Sequence, residues 1–219
     1  MGDISGGAAG PAVAPGRPGP QQQRSRLTRL RLMEATVECL VERGWAGTTT
    51  TVVADRAGVS RGAQLHHFRT RGELVAAAVE HIGRVRADDL RRRAAGLPGG
   101  RPGTGAALDL LAELFTGPAF TAALELWVAA RTDAALRELV VPLENRLGRE
   151  THLLAVELLG ADESRPGVRE AVQATLDLVR GLALADQLTD DGARRARILR
   201  QWAAMLDTAL RGPGTGSPR

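Results

Sequence analysis

The sequence predicts an all-α chain: a head of three short helices followed by a larger helical body. Three observations carry this. Apolar residues recur at spacings of three and four along most of the chain. Aromatic residues make up only 3% and Tyr is absent, so Ala, Leu and Val fill the core, which favours helices over sheets. One run alone looks strand-like, Thr48 to Val53, and no second run lies near to pair with it.

Residues 1–23 are mostly Gly, Pro, Ala and Gln, a composition that cannot offset chain entropy, and they read as a disordered tail, as do 212–219. A first helix is expected from about 24 to 43, with Leu30, Met33, Val37, Leu40 and Val41 on its buried face, and Gly44 ends it. Cys39 lies in this helix and reads as a small core residue. A Thr of the 48–51 run can cap a short second helix with Val53, Ala54 and Ala57 inward. Gly58 permits a tight turn, and Ser60 caps a third helix reaching His67 or Phe68. A long fourth helix spans Thr70 to Arg93, with Val75, Ala78, Val79 and Ile82 buried. The Gly/Pro-rich stretch 96–105 breaks the chain. Helices are expected after it at about 105–116, 118–131, 133–160, 167–188 and 191–211, with a kink at Pro142. The expected units are 24–70 and 71–211.

Charge narrows the function. The net charge is +4, every one of the 29 basic residues is Arg, and residues 24–31 hold four of them with no acid. The Arg fork binds phosphate at two points, so a polyanionic partner is expected, nucleic acid before membrane. A single Cys, no apolar run of membrane-spanning length and no secretion signal in the first residues fit a cytoplasmic protein.

The adjacent His66 and His67 point about 100° apart on a helix, and no usual ligand stands three or four residues from either, so no metal site is expected. Residues 58–62, Gly-Val-Ser-Arg-Gly, match the nucleophile-elbow pattern, but that elbow needs a preceding strand and a sheet, and neither is indicated. No catalytic residue and no cofactor are expected. What remains is two short helices joined by a Gly turn with basic and hydroxyl groups on the second, a helix-turn-helix. A helical wheel turns Val59, Ala63 and His66 inward and Ser60, Arg61, Gln64 and Leu65 outward. Arg61 can pair with guanine and Gln64 with adenine, while small Gly62 and Ala63 allow close approach. Thr48 and Thr49, at the start of the preceding helix, can hold a phosphate, and Arg69 and Arg71 can grip the flanking backbone.

Residues 42–75 resemble the DNA-binding domain of the TetR family of transcriptional regulators. The matching features are Gly44, Trp45, Thr48-Thr49, Val53-Ala54, Ala57-Gly58-Val59-Ser60, and His67-Phe68 followed by a basic and an acidic residue. The resemblance implies a homodimer whose heads read a palindromic operator on double-stranded DNA, and a helical body that binds a small-molecule effector. It places Arg61, Gly62 and Ala63 at positions that commonly read bases, and Thr49, His67 and Arg71 at positions that meet phosphates. Gln64 is added as a base contact and Ser60 as a phosphate contact from the outer face described above, and Thr48 as a phosphate contact from the start of the preceding helix. Family members often carry a Leu-Tyr pair where this chain has Gln64-Leu65.

In the body, Phe115, Phe120, Leu124, Trp127, Val128 and Leu176 are candidate lining of an apolar cavity. Val172, Val179, Trp202, Met205 and Leu206 are candidate interface residues of a dimeric four-helix bundle. Glu125, Arg131, Asp177 and Arg180 are polar groups on otherwise apolar helices, and a buried charge among them would report the polarity of a ligand.

Overall fold

The protein is described here from a computed structural model, which covers residues 19–100 and 102–211; the two tails expected to be disordered lie outside the described residues except at Gly19 and Pro20–Gln23. Among the described residues the chain forms nine helices and no strand: α1 Pro20–Gly47, α2 Thr50–Ala57, α3 Arg61–His67, α4 Arg71–Ala95, α5 Thr104–Leu114, α6 Gly117–Ala130, α7 Ala134–Leu159, α8 Val168–Ala185 and α9 Gly192–Arg211.

Each head helix is delimited by local chemistry. α1 opens on Pro20 at its first turn, where the missing N–H costs nothing, a few residues ahead of the expected start. Its buried face, Leu32, Met33, Thr36, Val37 and Leu40, follows the helical period, and Cys39 is fully buried beside it. Burial pushes the Cys39 thiol pKa up, which suppresses thiolate reactivity. At Gly44 the backbone leaves the helix at φ 62°, ψ −175°, a region open essentially only to glycine, and a last turn to Gly47 follows.

The β-branched run does not become a strand. The Thr49 hydroxyl accepts from the Val52 amide and starts α2, and Gly58 ends it in the left-handed conformation (φ 62°, ψ 36°). Ser60 caps α3 by accepting from the Ala63 amide. Thr70 and Glu73 form a reciprocal capping box at the start of α4. α7 runs through Pro142 without a break, and Gly160 ends it in the left-handed conformation.

Two apolar clusters hold the molecule together. One joins α1, α2, α4, α6 and α7 through Leu32, Leu40, Val53, Leu74, Val75, Leu126 and Leu143, with Phe68 beside them. The other joins α4, α5 and α7 to α9 through Leu90, Leu108, Leu111, Leu154, Val179 and Leu206. The first cluster crosses the expected boundary at residue 70. Three helices of which two have eight and seven residues bury too little surface to stand alone, so the head shares its core with the body.

No single helix among the described residues is long and apolar enough to cross a membrane; α5 and α6 reach that apolarity only as a pair bent by 57°.

Candidate nucleic-acid interface and effector cavity

α3 presents its N-terminal half to solvent. Arg61 and Gly62 are exposed and Ala63 is half-buried behind them. A Cβ built on Gly62 would meet nothing within 4 Å, so no internal contact demands glycine there, and the bare backbone leaves room for an external surface. Thr49 and Ser60 are exposed at the helix starts. Each hydroxyl accepts from a backbone amide, which leaves its own proton free to donate outward.

Two expected DNA contacts are corrected. Gln64 is 1% exposed, and its amide Nε2 donates to the Phe68 carbonyl at 2.8 Å, so it cannot reach a base edge. His66, expected to pack inward, is exposed instead, as is Leu65. The wheel is turned because Phe68 is 3% exposed and anchors the C-terminal end of α3, which draws the residue one turn earlier into the core. Gln64 thus fills a core position and satisfies the last carbonyl of the turn. Thr48 is fully buried and its hydroxyl donates to the Gly44 carbonyl at 2.8 Å; it braces the end of α1 rather than facing a phosphate.

His67 and Arg71 flank α3. His67 is half-buried, and burial, then the neighbouring His66 and Arg29, lower its pKa, so it is neutral near pH 7. The Arg71 guanidinium lies 3.4 Å above the Trp45 ring. Its Nε is buried without an acceptor, and desolvation lowers its pKa from a very high starting value, leaving it charged. Arg29 stacks 4.4 Å from the Phe68 ring and adds positive charge beside it. Arg56, on α2, bridges Glu38 and Glu42 of α1 and ties the two helices together at the surface.

In the body, a cavity of about 100 Å³ lies between α4, α6, α7 and α8. Phe115, Phe120 and Trp127 line it edge-to-face, with ring centroids 5.7 and 6.3 Å apart along that order. The Trp127 Nε1–H donates to Glu144 at 3.0 Å, and Arg86 donates to the Thr116 carbonyl. Of the expected lining, Val128 is corrected: it is 63% exposed on the outer face of α6. Leu124 packs half-buried against the second cluster, outside the cavity lining. Leu176 is buried and lines instead an outer cleft between α7 and α8. The sequence reading missed Arg86 and Glu144. Both sit on long helices that were read for their apolar stripe, and only the approach of α4, α6 and α7 brings them to one space.

The polar groups singled out on apolar helices separate. Arg131 is exposed. Glu125 reaches the head: its Oε2 accepts from the Trp45 amide at 3.4 Å. Arg180 lines the cavity with its Nε buried and unpartnered.

The expected dimer face also needs correction. Val172, Val179 and Leu206 are at most 1% exposed within the single chain and belong to its own core. Trp202 is half-buried and donates to the Thr175 hydroxyl at 2.9 Å. The buried residues of α8 and α9 hold the two helices onto α5. Met205, Leu184 and Leu188 are the large apolar side chains that these helices, and the loop joining them, leave exposed. Among the described residues no group of three or more His, Cys, Asp or Glu is placed to hold a metal ion.

Comparison with known proteins agrees with this geometry. The family model for bacterial regulatory proteins of the tetR family matches residues 32–78. The chain is 33% identical to an uncharacterised HTH-type transcriptional regulator of Mycobacterium tuberculosis over 79% of this chain and 84% of that one. It is 35% identical to the HTH-type transcriptional regulator CymR of Pseudomonas putida over 81% and 88%. A solved transcriptional regulator from Pseudomonas aeruginosa PAO1 superimposes with a TM-score of 0.66 at 26% identity, covering 89% of this chain and 95% of that one. With a helix-turn-helix head on a shared helical core and relatives of this identity along most of their length, the chain belongs to the TetR family of transcriptional regulators, DNA-binding proteins that are not enzymes.

Proposed function

We propose that this regulator is a cytoplasmic homodimeric repressor, bound to a palindromic operator and released from it by a small molecule in the α4–α8 cavity. Arg61, Gly62 and Ala63 read bases; Thr49, Ser60, His67 and Arg71 hold phosphates, Arg71 through the charge it keeps beside Trp45. The exposed apolar groups Leu184, Leu188 and Met205 are offered to the second subunit. Repression is the habit of the family this chain belongs to.

The observation that carries this reading is that one helix serves both places. α4 starts at the Thr70 cap directly after α3, and further along lines the cavity with Val79, Gly83 and Arg86. A ligand that prefers the cavity in a DNA-incompetent conformer then shifts the head by population. Moving the operator from almost fully bound to almost fully free takes a differential affinity of about 5.5 kcal/mol.

Selection of bound fragments from a genomic library tests the DNA half. Wild type is expected to recover a palindrome, and Arg61→Ala to lose about 1–3 kcal/mol at one base pair of each half-site, with relaxed preference there. Recovery of only salt-sensitive random fragments would count against sequence-specific regulation.

A further inference from the structure

We propose that the cavity is a carboxylate site: its ligand is a small organic acid whose carboxylate docks on the free edge of Arg180 and whose apolar body rests on Phe115, Phe120 and Trp127. This rests on the reading of the cavity as the effector site, and it names the chemistry that the effector must have.

The starting point is an unmet donor. The Nε–H of Arg180 has neither an acceptor nor access to solvent. Buried polar groups are rarely left unpaired, and each exception calls for a partner. Among the described residues only Arg71 Nε shares this condition, and it lies at the head. The rest of the Arg180 fork defines the missing partner. Its Nη1 donates to Asp177 at 3.1 Å, on the side of the guanidinium away from the Nε–Nη2 edge. That edge, two parallel N–H donors, meets no acceptor among the described residues. Its spacing matches the two oxygens of a carboxylate, the geometry in which Arg binds such groups most strongly.

The surroundings select among anions. The Arg180 guanidinium lies 5.2 Å from the Phe115 ring centroid and 5.8 Å from that of Trp127, so a ligand that reaches Arg180 from the cavity has an aromatic wall close by. An inorganic anion would leave that wall uncovered. At about 100 Å³ the space is smaller than the cavity of about 150 Å³ that holds benzene, so the ligand is small: a short chain, or one ring whose carboxylate reaches toward the outer cleft.

Two acids also line the cavity, Glu144 and Glu150. Glu144 already accepts from the Trp127 indole. A cationic ligand drawn to Glu150 would face Arg180 and Arg86 and would offer no acceptor to the buried Nε–H. Access points the same way. Arg180 and Gly148 line both the cavity and the outer cleft between α7 and α8, where Arg149 and Arg169 join Arg180 against Glu163 and Asp177. A Cβ on Gly148 would meet nothing within 4 Å, so no side chain fills the space at this shared position.

Titration calorimetry on the full chain tests this with benzoate and hexanoate, their uncharged amides, and benzylamine. Each acid, or at least one of them, is expected to bind tenfold or more tighter than its amide. In Arg180→Gln that gap should close while the amide affinity stays. Arg180→Lys keeps the charge without the fork and should retain only part of the gap; it also serves as the comparison if the Gln variant fails to melt cooperatively. Amides or the amine binding as tightly as the acids, or an acid preference that survives Arg180→Gln, would overturn the carboxylate assignment and leave the cavity as a ligand site. Absence of binding by every probe would remove the effector-cavity reading along with it.

Discussion

Replacing Gly44 by Ala tests how the head is joined to the body. Three quantities set the expected cost. At φ 62° and ψ −175° an L residue carries about 1–3 kcal/mol of backbone strain. A Cβ there would stand 2.7 Å from Glu125 Oε2, so the carboxylate must swing away, and the bond it accepts from the Trp45 amide is lost with it. That bond is long, 3.4 Å, and is taken at the low end, about 0.5–1 kcal/mol. Against these, Ala restricts the unfolded chain and returns about 0.4–1 kcal/mol. The balance is a loss of about 1–3 kcal/mol, measured by urea denaturation at fixed protein concentration. Glu125→Ala alone should cost only the bond. In Gly44→Ala/Glu125→Ala the clash is gone but the strain remains, so the double variant should lose less than the sum of the two single ones. A Gly44→Ala protein within about 0.5 kcal/mol of wild type would refute the argument, because neither strain nor displacement of Glu125 would then be present at this joint.

Gln64→Leu distinguishes a core residue from a base reader: it should lose about 1–3 kcal/mol of stability by stranding the Phe68 carbonyl, with operator preference unchanged once the protein is folded. An altered base preference at near-wild-type stability would return Gln64 to the DNA face. His67 gives a pH signature. Its folded pKa lies below the ordinary value of 6.5, so the unfolded chain binds its proton more readily. The stability it contributes is therefore complete above about pH 6.5 and falls as the pH drops through the window between the two values. Thermal melts between pH 7 and 5 should show a smaller drop for His67→Gln than for wild type, and equal drops would remove His67 as a contributor.

The sequence by itself determined the helices and most of their ends, because those depend on neighbours in the chain. Thr49, Ser60 and Thr70 each cap through the amide three residues on, and Gly58 turns the chain by its own backbone freedom. The location of Arg61 and Gly62 at the exposed start of α3 was legible for the same reason. Sequence could not decide which way a seven-residue helix rolls. That was settled by burial of Phe68 in a core shared with α1 and α4, and it turned Gln64 in and His66 out. Nor could it tell a stripe that packs on the same chain from one that meets a second copy, since both demand the same apolar period; α5 covers the stripe of α9, and Val172, Val179 and Leu206 became core. The cavity is the clearest case. Phe115, Phe120 and Trp127 were visible as aromatics in an aromatic-poor chain. Their meeting with Arg86, Glu144 and Arg180 required helices far apart in sequence to converge, and only tertiary packing holds those charges beside those rings.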